Sequence, residues 1–227
     1  MKSKQENLIK FVQSSFKKLA NKQKSVEMAA YMKTSMPFYG VQKPDRVPIY
    51  KAIKNDFAAE DLDDYKENVR ALWALPHREE KYTALEYALV NKQFIVKDSL
   101  DLYEELIRDG AWWDFVDTLA VHLVGETLLH DRKSVKSKLD KWINDDDMWI
   151  RRTAILSQNK HKSHTDETML YKYIQKRMHE REFFITKSIG WALREYSYTN
   201  PKSVKRFISQ NKDELAPLSV REGSKRL

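Results

Sequence analysis

The sequence contains no cysteine among its 227 residues, and it has only 5 glycines and 6 prolines. The lack of cysteine excludes disulfide bonds, thiol nucleophiles and cysteine-ligated zinc. Few glycines and prolines argue against an all-β fold of this size, which would need many tight turns. Hydrophobic residues make up 41% and charged residues 33% of the sequence, which is typical of amphipathic helices. We therefore predict an all-α protein.

Long apolar runs are also missing. No stretch approaches about 18 consecutive apolar residues, so we expect no membrane-spanning segment. The first residues, MKSKQENLIKFVQ, lack the pattern of a signal peptide, and we expect a cytoplasmic protein. The 41 basic and 33 acidic residues give a formal net charge of +8. This charge favours a polyanionic partner, although a chain of this length is as often merely basic.

Apolar residues recur three and four positions apart along almost the whole sequence, which predicts a series of amphipathic helices. The stretch 36–48 breaks this pattern with three prolines and a glycine, so we predict an ordered loop there. The predicted helices cover about 8–19, 26–32, 49–58, 61–74, 79–91, 98–109, 111–129, 134–144, 147–158, 166–179, 182–198, 201–210 and a last segment after Pro217.

Three of these helices open on an aromatic residue at a nearly constant interval. Trp113 opens AWWDFVDTLA, Trp149 opens DMWIRRTAIL and Phe184 opens EFFITKSIGWAL, at steps of 36 and 35 residues. Such a period is typical of two-helix HEAT-like repeats, in which the second helices line one concave wall. Helix amphipathicity alone would also produce three imperfect copies. We predict a HEAT-like helical-repeat solenoid that forms one domain over residues 1–227.

Charged and aromatic residues of the three helices fall in register. Asp117 lies four residues after Trp113, Arg152 lies three after Trp149, and Trp191 lies seven after Phe184. Offsets of three, four and seven share one helical face, so a carboxylate, a guanidinium and an indole would converge. The alternative is that both tryptophans are core residues and that Asp117 is a cap or an ion-pair partner.

Several segments resemble bacterial DNA alkylation repair glycosylases of the AlkD type, over roughly residues 5–226. They are AAYMK (29–33), GVQKPDR (40–46), WWDFVD (112–117), MWIRRTAIL (148–156), FFITKSIGWALREY (183–196) and ELAPLSVRE (214–222). The resemblance implies a HEAT-like fold whose basic concave groove holds duplex DNA. It also implies removal of positively charged N3- and N7-alkylated purines from DNA.

Five residues match the active-site positions of that family. Asp117, Trp113 and Trp191 would be catalytic, with the carboxylate beside the sugar and the two indoles around it. Arg152 and Tyr31 would contact DNA, and we expect Arg152 to hold a phosphate rather than to act as an acid. No lysine stands at a matched catalytic position, so we expect no Schiff base and no lyase activity.

A basic stripe continues from Trp191. Lys187, Trp191, Arg194 and Tyr198 follow one another at intervals of four, three and four residues. Lysine, arginine and polar side chains at such positions are typical phosphate contacts. The residues that we nominate for phosphate contacts are Gln42, Lys43, Arg46, Lys160, Lys187 and Arg194.

Two histidines form an HxxH pair, His161 and His164, in the polar segment KHKSHTDE. A solvated linker is favoured over a metal site, because no cysteine and no helix fixes the spacing.

We predict a monomeric enzyme without cofactor or metal, whose partner is duplex DNA containing alkylated bases. Two other functions stay open: a non-catalytic DNA-binding repeat protein that recognises distorted DNA by shape, and a solenoid scaffold for protein interactions.

Overall fold

Helices account for all the regular secondary structure in residues 2–227, the part of the chain that this computed structural model describes. The predicted all-α class is therefore confirmed. The chain divides into two compact units, the first ending at Ile95 and the second beginning at Val96. The prediction of one domain over residues 1–227 stays a prediction. None of the described helices is long and apolar enough to span a membrane.

The first unit contains five α-helices among the described residues: α1 (Lys2–Leu19), α2 (Lys22–Met32), α3 (Lys43–Asp56), α4 (Leu62–Trp73) and α5 (Arg78–Val90). Helix α1 packs against α3 and α4, and α4 packs against α5. The predicted loop at 36–48 is too long, because α3 already begins at Lys43. Pro44 lies in the first turn of α3, where a backbone N–H would have no helical partner, so it favours this start.

The shortened loop between α2 and α3 is held by a buried carboxylate. Glu79 of α5 accepts hydrogen bonds from the backbone N–H groups of Tyr39 at 3.0 Å, Gly40 at 2.8 Å and Val41 at 3.0 Å. Gly40 has a φ of +84°, and a Cβ there would lie 2.1 Å from the carbonyl oxygen of Asn21. Only glycine fits this backbone conformation and this close approach. The loop is therefore ordered, as predicted.

The second unit contains nine α-helices among the described residues and one π-helical segment. They are α6 (Leu100–Gly110), α7 (Trp113–Thr118), the π segment (Leu119–Val124), α8 (Gly125–His130), α9 (Arg132–Trp142), α10 (Met148–Leu156), α11 (Glu167–Arg177), α12 (Phe183–Ser197), α13 (Pro201–Gln210) and α14 (Pro217–Gly223). The helices that carry the repeated motif, α7, α10 and α12, pack side by side in chain order. Their flanking helices α9, α11 and α13 pack onto them, as in a helical-repeat solenoid.

The repeated aromatic position contains Trp112 rather than Trp113. The ring centroid of Trp112 lies 6.1 Å from that of Trp149 and 5.6 Å from that of Phe184, and the last two lie 4.8 Å apart. The repeat thus reflects an aromatic cluster that joins the N-terminal ends of α7, α10 and α12. Trp113 is left outside this cluster, half-buried at the start of α7.

The predicted helix at 111–129 is interrupted by the π segment. The N–H of Gly125 donates to the carbonyl of Ala120, five residues earlier, which is the π-helical pattern. A Cβ on Gly125 would lie 2.6 Å from the backbone carbonyl oxygen of Ser157. Glycine therefore lets this segment approach the end of α10. π-helical turns within α-helices are frequent at functional sites.

Replacement of Gly125 by alanine is expected to destabilise the protein by about 1–3 kcal/mol, because the new methyl group meets backbone rather than a flexible side chain. Urea unfolding followed by circular dichroism measures the change. Glu126→Ala is the matched control, because its side chain is exposed one position further on. Equal stability of the Gly125→Ala variant and the wild type would contradict the proposed close contact.

Candidate active site

Asp117 and Arg152 form a bidentate ion pair between α7 and α10. Arg152 Nε donates to Asp117 Oδ1 at 2.8 Å, and Arg152 Nη2 donates to Asp117 Oδ2 at 2.9 Å. Two parallel hydrogen bonds of this kind fix the plane of the carboxylate as well as its position. The Arg152 side chain is only 4% exposed, whereas that of Asp117 remains 21% exposed. The carboxylate is therefore the member of the pair that solvent or a ligand reaches.

The third guanidinium nitrogen of Arg152 also donates a hydrogen bond within the protein. Its Nη1 donates to the backbone carbonyl of Phe184 in α12. The guanidinium is thus buried and hydrogen-bonded to α7 and α12 together. The predicted phosphate contact of Arg152 is corrected by this geometry, because the side chain orients Asp117 and is not presented at the surface.

The pKa of Asp117 is raised above its ordinary value. Burial is the main cause, because it disfavours the charged form, and the nearby Asp114 adds to the shift. The hydrogen bonds and the positive charge of Arg152 act in the opposite direction and limit the rise. Asp117 is thus an ion-pair partner, as one of the two interpretations of the sequence predicted. An ion pair of this kind is compatible with a reactive carboxylate.

Trp191 of α12 packs on the π segment that follows Asp117. Its side chain is half-buried and packs against a cluster of Ala120, Val121 and Leu156. The first two residues belong to the π segment, so the interrupted helix carries both the carboxylate and the contact surface of the indole. Trp191 Nε1 donates to Glu195 Oε1 at 3.1 Å, one turn further along α12.

The three predicted catalytic residues therefore differ in what surrounds them. Asp117 is paired with Arg152, whereas Trp191 packs on the π segment that begins two residues after Asp117. Trp113 lies one helical turn before Asp117 on α7 and is half-buried. Trp149, which opens the second repeated helix, is buried and is therefore a core residue.

The predicted phosphate contacts of the second unit lie on or near α12. Lys160 is exposed after α10. Lys187 Nζ and Arg194 Nη1 lie 3.0 Å and 2.7 Å from the carboxylate of Glu222 in α14. Lys225 Nζ also donates to Glu222, at 2.8 Å. One buried carboxylate thus forms ion pairs with three cations, so the net charge of this group of residues is positive.

Sequence reasoning missed Glu222 and Lys225, and also Arg226, whose guanidinium lies 5.7 Å from the ring centroid of Tyr198. The charges of Lys225 and Arg226 are visible near the C-terminal end of the sequence, but no spacing rule connects them with α12. Glu195 was missed too. Its position four residues after Trp191 is a signal that could have found it.

The first unit carries the other predicted DNA contacts. Tyr31, Gln42 and Lys43 are exposed, the last two at the start of α3. Arg46 is largely buried, with its guanidinium 4.5 Å from the ring centroid of Tyr82. This burial argues against the predicted phosphate contact of Arg46.

The expectation of a solvated HxxH linker is wrong for His161. Its ring is buried, with Nε2 2.9 Å from the carbonyl oxygen of Gly125, and Nδ1 3.4 Å from Arg132 Nη2. Burial lowers the pKa of His161, and the nearby Arg132 adds to this effect. We infer a neutral ring that donates from Nε2 and ties the end of the π segment to the loop after α10.

The fold and the site together define an all-helical repeat protein with a solvent-reachable carboxylate held by a buried arginine, and with an indole packed on the π segment that follows the carboxylate. A family model described as DNA alkylation repair enzyme matches residues 12–227. The chain belongs to this family of DNA alkylation repair enzymes. It is also similar to a solved structure described as a predicted DNA alkylation repair enzyme from Enterococcus faecalis. The identity is 30%, the TM-score is 0.85, and the match covers 92% of this chain and 96% of that one. No curated protein matches the sequence.

Proposed function

We propose that this protein is a DNA glycosylase that hydrolyses the N-glycosidic bond of cationic N3- and N7-alkylated purines in duplex DNA. The observation that carries the proposal is the carboxylate of Asp117, oriented by two hydrogen bonds from Arg152 and still partly exposed. Membership of a family of alkylation repair enzymes supports the same substrate class. The AlkD-type specificity implied by the sequence motifs belongs to this proposal.

The chemistry depends on charge. Departure of the base leaves an oxocarbenium-like sugar, and a carboxylate near C1′ stabilises the growing positive charge. At about 4 Å and an effective dielectric constant near 20, such a pair is worth up to about 4 kcal/mol before desolvation. Asp117 would also orient the attacking water. Trp191 would add cation–π attraction of about 0.5–2 kcal/mol, and Trp113 a similar contribution.

A second carboxylic acid is not needed for these substrates. Ordinary glycosidases use a general acid because their leaving group is poor. A cationic alkylated purine leaves as a neutral molecule without added protonation. Asp114, three residues before Asp117, is therefore assigned no proton transfer. The proposal predicts selectivity for charged lesions, and it predicts no lyase step.

One experiment separates this function from its alternatives. The protein is incubated with duplex DNA carrying 7-methylguanine or 3-methyladenine, and released base and complex formation are measured together. A glycosylase releases base and forms a salt-sensitive complex. Salt-sensitive binding without release would favour the non-catalytic DNA-binding protein. Neither signal would favour the scaffold. A monomeric state and a cytoplasmic location remain predictions.

The rate of base release is expected to fall on the acidic side of the pH profile. Asp117 acts as a carboxylate, so activity is present above its pKa and is lost as the pH drops through it. Because burial raises this pKa, the midpoint should lie above the ordinary value of 3.8. Single-turnover release from duplex containing 7-methylguanine, corrected for release in buffer alone, measures the profile. An acidic midpoint at or below 3.8 would contradict the assigned environment of Asp117.

A further inference from the structure

Tyr198 is an unusually exposed aromatic residue beyond the candidate active site. Its side chain is 63% exposed and it follows Trp191 by seven residues on α12 and its C-cap, so the two share one face. Two separate cavities are lined by Tyr198. Cations line both cavities, one set from the loop after α10 and the other from the chain after α14.

The first cavity has a volume of about 230 Å³ and adjoins the C-terminal half of α12. Lys160 and Lys162 line it and are exposed. Asn159 also lines it; this residue is only 7% exposed, and its Nδ2 has no hydrogen-bond partner among the described residues. Glu195 also lines this cavity, and its Oε1 accepts from Trp191 Nε1. Buried amide donors in proteins nearly always have a partner, so the unpaired donor of Asn159, in a cavity that two exposed lysines also line, points to an acceptor such as a phosphate oxygen.

The second cavity has a volume of about 320 Å³ and is lined by Arg194, Tyr198, Lys225 and Arg226. Glu222 lies behind it, only 5% exposed, and pairs with Lys225 and Arg194. Hydrogen bonds from the surrounding cations lower the pKa of Glu222 to about 2, so this carboxylate stays ionised at neutral pH. It fixes the positions of the cations without cancelling their total charge.

We propose that the two cavities bind successive phosphates of one DNA strand, with the ring of Tyr198 against the deoxyribose between them. The inference rests on the proposed function, because it assumes that the chain binds duplex DNA. Lysine, arginine and tyrosine side chains commonly contact phosphate and sugar and set the register of a protein on DNA. This contact would fix the strand relative to Trp191, on the same face of α12.

The test compares the salt dependence of binding to a short unmodified duplex. The variants are Lys160→Ala/Lys162→Ala for the first cavity and Lys225→Ala/Arg226→Ala for the second. Each is expected to reduce the steepness of log K against log salt by about 1, the effect of one lost phosphate contact. Lys202→Ala/Lys205→Ala is the matched control, because it removes the same charge from exposed positions of α13. Its slope should equal that of the wild type.

A second comparison tests the role of the ring. Tyr198→Phe should keep the affinity, whereas Tyr198→Ala should lower it severalfold without changing the salt slope. Equal slopes for all charge variants, or the same loss in the control as in the cavity variants, would overturn the proposal. Base release by the wild-type protein is measured alongside. Release with unchanged slopes refutes the two phosphate sites alone, whereas absence of both binding and release refutes the proposed function as well.

Discussion

Asparagine in place of Asp117 is expected to lower the rate of base release by about a thousandfold, while the affinity for duplex DNA changes by no more than a few-fold. The change removes an attraction worth up to about 4 kcal/mol between the carboxylate and the developing sugar cation. Each 1.36 kcal/mol corresponds to a factor of ten in rate. Asparagine keeps the shape of the side chain, and the predicted phosphate contacts lie elsewhere. Single-turnover release and a binding titration measure the two quantities.

The control for this variant is Asp114→Asn, which removes the same charge three residues earlier on α7. It should keep base release within a few-fold at neutral pH, because the charge of Asp114 only adds to the rise of the Asp117 pKa that burial causes. The asparagine at position 117 also leaves the buried Arg152 without a counter-charge, so thermal unfolding must show that the variant is folded at the assay temperature. Full activity of the folded Asp117→Asn variant would reject the assignment of this carboxylate.

Removal of Arg152 is expected to have the largest effect on stability. Arg152→Ala breaks a buried ion pair and deletes the link to the carbonyl of Phe184. Breaking such a pair from one side costs about 3–5 kcal/mol, because one charge stays buried and unpaired. The pKa of Asp117 should then rise further, since the opposing influence of Arg152 is gone. Urea unfolding and the pH profile of base release measure the two effects.

The pH dependence of this stability loss has a definite sign. In the Arg152→Ala variant the folded carboxyl binds a proton more readily than the unfolded one, so stability rises as the pH falls through the raised pKa of Asp117. The difference in the free energy of unfolding between the Arg152→Ala variant and the wild type should therefore become smaller in acid. A destabilisation that is constant with pH would show that the lost energy comes from packing alone.

A double variant separates the structural role of the pair from its chemical role. Asp117→Leu/Arg152→Met replaces both charges with apolar groups, and such replacements of buried pairs are often neutral or stabilising. We expect it to recover much of the stability lost in Arg152→Ala and to release no base. Recovery of activity together with stability would mean that the pair serves the fold only.

The sequence pattern was sufficient to predict the helices and the proximity of Asp117 and Arg152. Apolar spacing located α4 (Leu62–Trp73), α5 (Arg78–Val90) and α12 (Phe183–Ser197) to within a few residues. This works because burial of one helical face dictates the spacing. The shared register of Asp117 and Arg152 corresponds to a direct ion pair, since neighbouring repeats place equivalent faces side by side, and Trp191 packs on the π segment that follows Asp117. The catalytic roles of these residues stay predictions.

Other features depend on contacts between distant residues, which spacing does not encode. The choice of Trp112 over Trp113 for the aromatic cluster is set by the way α7 packs on α10. The π segment depends on the close approach of Gly125 to Ser157. Arg152 was assigned to a phosphate because a guanidinium suits a phosphate better than acid catalysis, and the sequence did not reveal that the carboxylate of Asp117 takes this place.

The central claim is that Asp117 drives loss of a base that is already cationic. The most direct measurement is base release from two matched duplexes, one with 7-methylguanine and one with the uncharged O6-methylguanine at the same position, with wild-type protein and Asp117→Asn. We expect release of 7-methylguanine by the wild type only, and no release of O6-methylguanine by either protein. Comparable release of the uncharged base, or equal release of 7-methylguanine by both proteins, would contradict it.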